Sequence, residues 1–122
     1  MTEVDRSEAD RLTEVADQVA DSARLQRRAA TLVRRMAAQR RRGRPWRSIV
    51  TSGTPRRTLE LLGEAGRRLR HGARQLRQLL VGGLSAEGST TRQIGELFEV
   101  SHQRISVILR TRHQDTRHQE QP

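Results

Sequence analysis

Residues 90–110 read TTRQIGELFEVSHQRISVILR, and their spacing predicts two short helices joined by a tight turn. Thr90 with Gln93 three places on forms a capping box, in which side chain and backbone satisfy one another at the start of a helix. Ile94, Leu97 and Phe98 then give that helix an inner face, and Gly95 stands where a second helix must come close. Val100 ends the turn with an apolar residue, and Ser101 caps the second helix. From there Ile105, Ile108 and Leu109 fall inward, which leaves His102, Gln103, Ser106, Val107 and Arg110 outward. The outward set is rich in hydrogen-bonding groups.

The pattern resembles the trihelical helix-turn-helix of bacterial regulators, in particular sigma-factor region 4 and the DNA-binding domains of serine resolvases and invertases. The resemblance takes in a preceding helix at 73–84, a supporting helix at 91–98 and a recognition helix at 102–110. It implies that Ser101, His102, Gln103, Ser106 and Arg110 meet the major groove, with Arg104 as a further base or phosphate contact. It also implies that Thr91 and Arg92 meet phosphate at the start of the supporting helix. Gln suits adenine and Arg suits guanine, so the set has base-reading chemistry without fixing which bases are read. The chain departs from the family at the turn, where Glu99 stands in place of the usual Gly and must accept an unfavourable backbone conformation or alter the turn.

Working back towards the N-terminus, Thr54 and Pro55 mark a helix start, as N-cap and first helical residue. Leu59, Leu62, Leu69, Ala73, Leu76 and Leu80 follow in steps of three and four. Gly63, Gly66 and Gly72 weaken that helix unless they serve close approach, and Gly82-Gly83 is expected to bend or end it. Residues 43–55 form a linker around Arg42-Gly43-Arg44-Pro45. This Arg-Gly-Arg-Pro core resembles an AT-hook or a minor-groove arm, and reads equally as a helix stop made of Gly and Pro. Trp46 is expected to anchor the linker in a core or interface.

Residues 1–42 contain neither Pro nor Gly, and Leu12, Val15, Val19, Ser22, Leu25, Ala29, Leu32 and Met36 recur at helical spacing. Such a helix would be about 50 Å long with one stripe to bury, which points to pairing between two copies or to a hairpin within one chain. An antiparallel pair of copies would set an acidic half against a basic half. Residues 111–122 repeat Thr-Arg-His-Gln and are expected to form a polar, disordered tail. The fold class is therefore all-α: a long coiled-coil-like helix (1–42), a linker (43–55) and a helical DNA-binding domain (56–110).

Charge is divided along the chain. Residues 1–21 hold seven acids against Arg6 and Arg11, residues 22–82 hold 17 arginines against Glu60 and Glu64, and residues 83–122 are balanced at five against five. All 24 basic residues are Arg, whose planar fork suits phosphate and guanine. The basic middle reads as a nucleic-acid footprint and the helix-turn-helix as the reader. Together they predict a sequence-specific transcriptional regulator that binds double-stranded DNA as a homodimer. The near-neutral C-terminal third favours, as an alternative, an adaptor that contacts RNA polymerase, and the Arg density with the Arg-Gly-Arg-Pro core favours a nucleoid-type architectural binder. No Cys is present, the four His lack metal-ligand spacing, and no nucleophile-base pair or phosphate-cradling loop occurs. The expectation is no enzyme activity, no cofactor, no metal and no catalytic residue. With no apolar run of membrane length and an acidic N-terminus, the expected place is the cytoplasm, on the nucleoid, without membrane contact.

Overall fold

The computed structural model describes the backbone of residues 3–120 and the side chains of residues 6–111. It is all-α: among the described residues there is no strand, and five helices follow in order. These are α1 (Glu3–Arg41), α2 (Trp46–Thr51), α3 (Thr54–Ala86), α4 (Thr91–Phe98) and α5 (His102–Glu120). The chain divides into two compact units, one of Thr13–Gly72 and one of Met1–Leu12 with Ala73–Pro122. Among the described residues no helix is long and apolar enough to cross a membrane.

Helix ends are set by local chemistry. Gly43 at φ +84° closes α1, with its N–H on the Arg40 carbonyl and the Arg44 N–H on that of Gln39. This is the Schellman arrangement, which needs a left-handed residue and so favours Gly. Gly88 at φ +100° closes α3 the same way, through Gly88 to Ser85 and Ser89 to Leu84. The expected linker contains α2, which buries Ile49 completely and starts after the extended Pro45. Gly82-Gly83 does not break α3, which runs unbroken as one helix to Ala86 and so supplies the helix that precedes α4. α5 passes Arg110 and carries helical backbone to Glu120, where a disordered tail was expected.

In the unit Thr13–Gly72, α1 and α3 form an antiparallel hairpin. Ser22 Oγ donates to the Ala65 carbonyl at 2.8 Å, Arg68 Nη1 reaches Asp21 Oδ2 at 3.0 Å, and a side chain at Gly72 would lie 3.5 Å from Gln18 Cβ. As the α1 numbers fall the α3 numbers rise, so the long helix finds its partner inside the chain, as the hairpin alternative has it. The seam buries Val15, Ser22 and Ala29 from α1 with Thr58, Leu61, Ala65 and Gly72 from α3. The leucine row of α3 does not lie in that seam. Leu59 is 69% exposed, and Leu62 and Leu69 stand out beside Val19 and Val33 of α1 as exposed apolar residues. Small residues won the seam because they let the two backbones approach and let Ser22 reach a carbonyl.

The other unit has a compact aliphatic centre. Val81 from α3, Ile94 from α4 and Ile105 from α5 are buried together, with Leu84, Ile108 and Leu109 packed around them.

Candidate nucleic-acid interface

α4 begins at the capping box that the sequence predicts. Gln93 N–H donates to Thr90 Oγ1 at 3.1 Å and Thr90 N–H donates to Gln93 Oε1 at 2.9 Å. The helix ends eight residues later at Glu99, the one non-glycine residue with positive φ among those described (φ 58°, ψ 38°). The Val100 N–H then returns to the Gly95 carbonyl at 2.9 Å. This is the same closure as at Gly43 and Gly88, made here by a residue that bears the steric penalty of a left-handed backbone. Gly95 makes the turn possible: a Cβ there would stand 2.6 Å from the Val100 carbonyl oxygen. Ser101 Oγ accepts from Arg104 N–H at 3.2 Å and so caps α5.

These contacts fix which side of α5 is free. Ile105 is buried, and Ile108 and Leu109 pack on the core. Ser101, His102, Gln103, Arg104, Val107 and Arg110 are exposed. Gln103, Val107 and Arg110 share the face opposite Ile105, since steps of four and three keep residues on one side of a helix. His102 and Arg104 flank it. Ser106, expected outward, is half-buried and donates to the His102 carbonyl at 3.1 Å, which ties its hydroxyl to the helix itself. On α4, Arg92 is exposed and Thr91 half-buried at the helix start. Leu97, expected on the inner face, is 68% exposed and Phe98 is 37% exposed, so Ile94 is the one large side chain of α4 that is fully buried. Four turns of sequence would have revealed this, but α4 has barely two.

A shallow open depression joins the two helices, lined by Arg92, Glu96, Glu99, Ser101 and His102 among others. Its carboxylates outnumber its guanidinium, so an anion arriving there meets Glu99 as an opposing charge.

The Arg-Gly-Arg-Pro segment lies in the other unit. Arg42, Gly43 and Pro45 are exposed, but Arg44 is half-buried and its guanidinium bonds Ser48 Oγ at 2.9 Å and the Ser48 carbonyl at 3.3 Å. Arg40 Nη1 bonds the Arg44 carbonyl at 3.0 Å. The segment works as a helix stop here, and Arg44 would have to leave these partners to act as a groove arm. Trp46 is 61% exposed with the Arg40 guanidinium over its ring at 5.2 Å, so of the two roles expected, core or interface anchor, it does not fill the first. With Val33, Met36 and Ala37 it lines an open apolar groove.

No protein-family model, curated protein or solved structure matches this chain.

Proposed function

We propose that the protein is a sequence-specific DNA-binding regulator of the helix-turn-helix type, acting as a dimer, with residues 102–110 in the major groove. The observation that carries this reading is the α4–α5 pair. It is joined by a left-handed turn at Glu99, closed over Gly95, and presents Gln103, Val107 and Arg110 on the free face with His102 and Arg104 at its edges. A helix held near its start by an aliphatic core, with amide, guanidinium and apolar groups outward, matches what a major groove offers: acceptors, donors and thymine methyls. Ser101 and Arg92 lie where the starts of α5 and α4 can meet phosphate. Arginines of the basic middle add affinity that is independent of sequence.

The test is selection of purified protein on random DNA duplexes at physiological salt, followed by sequencing of the bound pool. Enrichment of a motif in two spaced half-sites is the expected outcome. Gln103→Ala and Arg104→Ala should each lose about 1–3 kcal/mol on the selected site and relax preference at one position. A retained but unenriched pool would replace this reading with that of an architectural binder, which the density of arginine in residues 22–82 favours. No retention would direct attention to a protein partner such as RNA polymerase.

A further inference from the structure

We infer that the exposed apolar face of the α1–α3 hairpin, within residues 13–72, is covered by a second copy of this chain, with α1 packed antiparallel against the copy's α1. This rests on the dimeric part of the reading above and says where the dimer forms.

The face is continuous because of how the hairpin is built. Val19 and Val33 lie four residues after the buried Val15 and Ala29, and Leu62 and Leu69 four after the buried Thr58 and Ala65. In an antiparallel pair, a shift in the same sense from the seam moves both helices' residues to the same side. The four side chains, each 44–48% exposed, therefore make two rows on one surface, with Leu59 beside them. A two-helix hairpin with one apolar side is half of a four-helix bundle.

The surface is complementary to itself. Val19 stands seven residues before Gln26 and Val33 seven after it, so a two-fold axis at Gln26 lays each Val19 on the partner copy's Val33. The pairs Ser22–Ala65 and Asp21–Arg68 put Gln26 within a residue of the level of Leu62. The same axis then passes by Leu62 and brings Leu59, the most exposed leucine described, to the level of the partner copy's Ala65, beside Gly66, over which the Arg70 guanidinium lies. The same orientation places the Glu14 and Asp17 end of each α1 along the Arg34, Arg35 and Arg41 end of the other. A parallel pair would put like charge beside like. Antiparallel packing also opposes the two helix dipoles favourably.

The experiment uses the full chain without DNA. Sedimentation equilibrium should give twice the 13.9 kDa of one chain. Leu62→Glu should weaken association by about 100-fold or more while leaving the far-UV helix signal intact, because Leu62 lies outside the seam. The chain has no Cys, so Val19→Cys and Val33→Cys can be made separately, mixed and oxidised. A disulfide-linked dimer should form in the mixture and not in either variant alone. A monomeric wild type, a dimer that survives Leu62→Glu, or cross-linking in single variants would each overturn the inference. A monomer that still selects one DNA half-site removes this inference and leaves the DNA reading. A dimer that selects no DNA does the reverse.

Discussion

Between α1 and α3 the buried seam is made of Ser22, Ala29, Thr58 and Ala65, with Val15 and Leu61 as its bulkiest members, whereas around α4 and α5 the buried side chains are Val81, Ile94 and Ile105. The seam joins long helices by close approach and polar contacts: Ser22 donates to a main-chain carbonyl and accepts from Gln26 Nε2, and Arg68 spans to Asp21. The aliphatic centre holds the short α4 between α3 and α5 by removing large side chains from water, at about 1.5–3 kcal/mol each. Length lets the hairpin spread its stability over many small contacts. The α4–α5 pair concentrates its stability on few residues, and this leaves the outward face of α5 free to carry Gln103, Val107 and Arg110.

The largest expected effect follows from that concentration. Ile94→Ala or Ile105→Ala should lose about 2–5 kcal/mol in urea unfolding, because each leaves a cavity in a centre of three buried residues. Ser22→Ala should lose only about 1 kcal/mol, the net worth of its hydrogen bond. Comparable losses would mean that the two regions are not held by different means.

Two glycines sharpen the contrast, since both are buried in helices and both sit at a close approach. Gly95→Ala places a methyl 2.6 Å from the Val100 carbonyl oxygen, so the turn must open at a cost of about 1–3 kcal/mol. Gly72→Ala places its methyl 3.5 Å from Gln18 Cβ, an ordinary contact, and should stabilise by about 1 kcal/mol through helix propensity. Thermal unfolding of the two variants should therefore shift in opposite directions; shifts of the same sign would show that the hairpin and the turn are equally tight.

A further comparison sets Glu99 against Gly43 and Gly88, three residues that close helices with the same pair of backbone bonds. Glu99→Gly relieves the side-chain strain at φ 58° and should raise stability by up to about 1 kcal/mol. It also removes a negative charge from the depression beside Arg92, so under the proposed DNA-binding reading affinity for duplex DNA should rise in a filter-binding titration. Unchanged affinity would place bound DNA away from that depression.

These regions were also unequally legible in the sequence. The capping box at Thr90, the Ser101 cap, the inward Ile94 and Ile105 and the strain at Glu99 all follow from chemistry within three or four residues, which a sequence displays directly. The exposed Gln103, Arg104 and Arg110 of the candidate site follow from the same periodicity. In the seam, Val15, Ser22 and Ala29 of α1 follow from the same spacing, but the α3 side does not. α3 carries two interleaved rows, one of Leu59, Leu62 and Leu69 and one of Thr58, Leu61, Ala65 and Gly72, both at helical spacing. Hydrophobicity ranks the leucines inward, and only the identity of the partner helix reverses the order. Arg44 misled for a similar reason: its bonds to Ser48 depend on α2, which a six-residue segment without strong periodicity does not announce.

The smallest expected effect lies in the polar clamp of the hairpin. Glu64 accepts from Arg67 at 2.9 Å on one oxygen and from Arg68 at 3.0 Å on the other, and Arg68 continues to Asp21 of α1. The bond from Arg67, then that from Arg68, hold the Glu64 carboxyl below its ordinary range. A carboxyl with a lowered folded-state value contributes stability above the ordinary glutamate range and loses it as pH falls through the lowered one. Glu64→Gln should therefore melt slightly below wild type at neutral pH, and the gap should close as pH falls past the ordinary glutamate range. Because these groups meet water, the gap should also shrink in high salt. The α4–α5 region has no such clamp among the described ion pairs. An acid-induced loss that is identical in Glu64→Gln and wild type would show that the hairpin is held by its seam alone, with Arg68 adding only the link to Asp21.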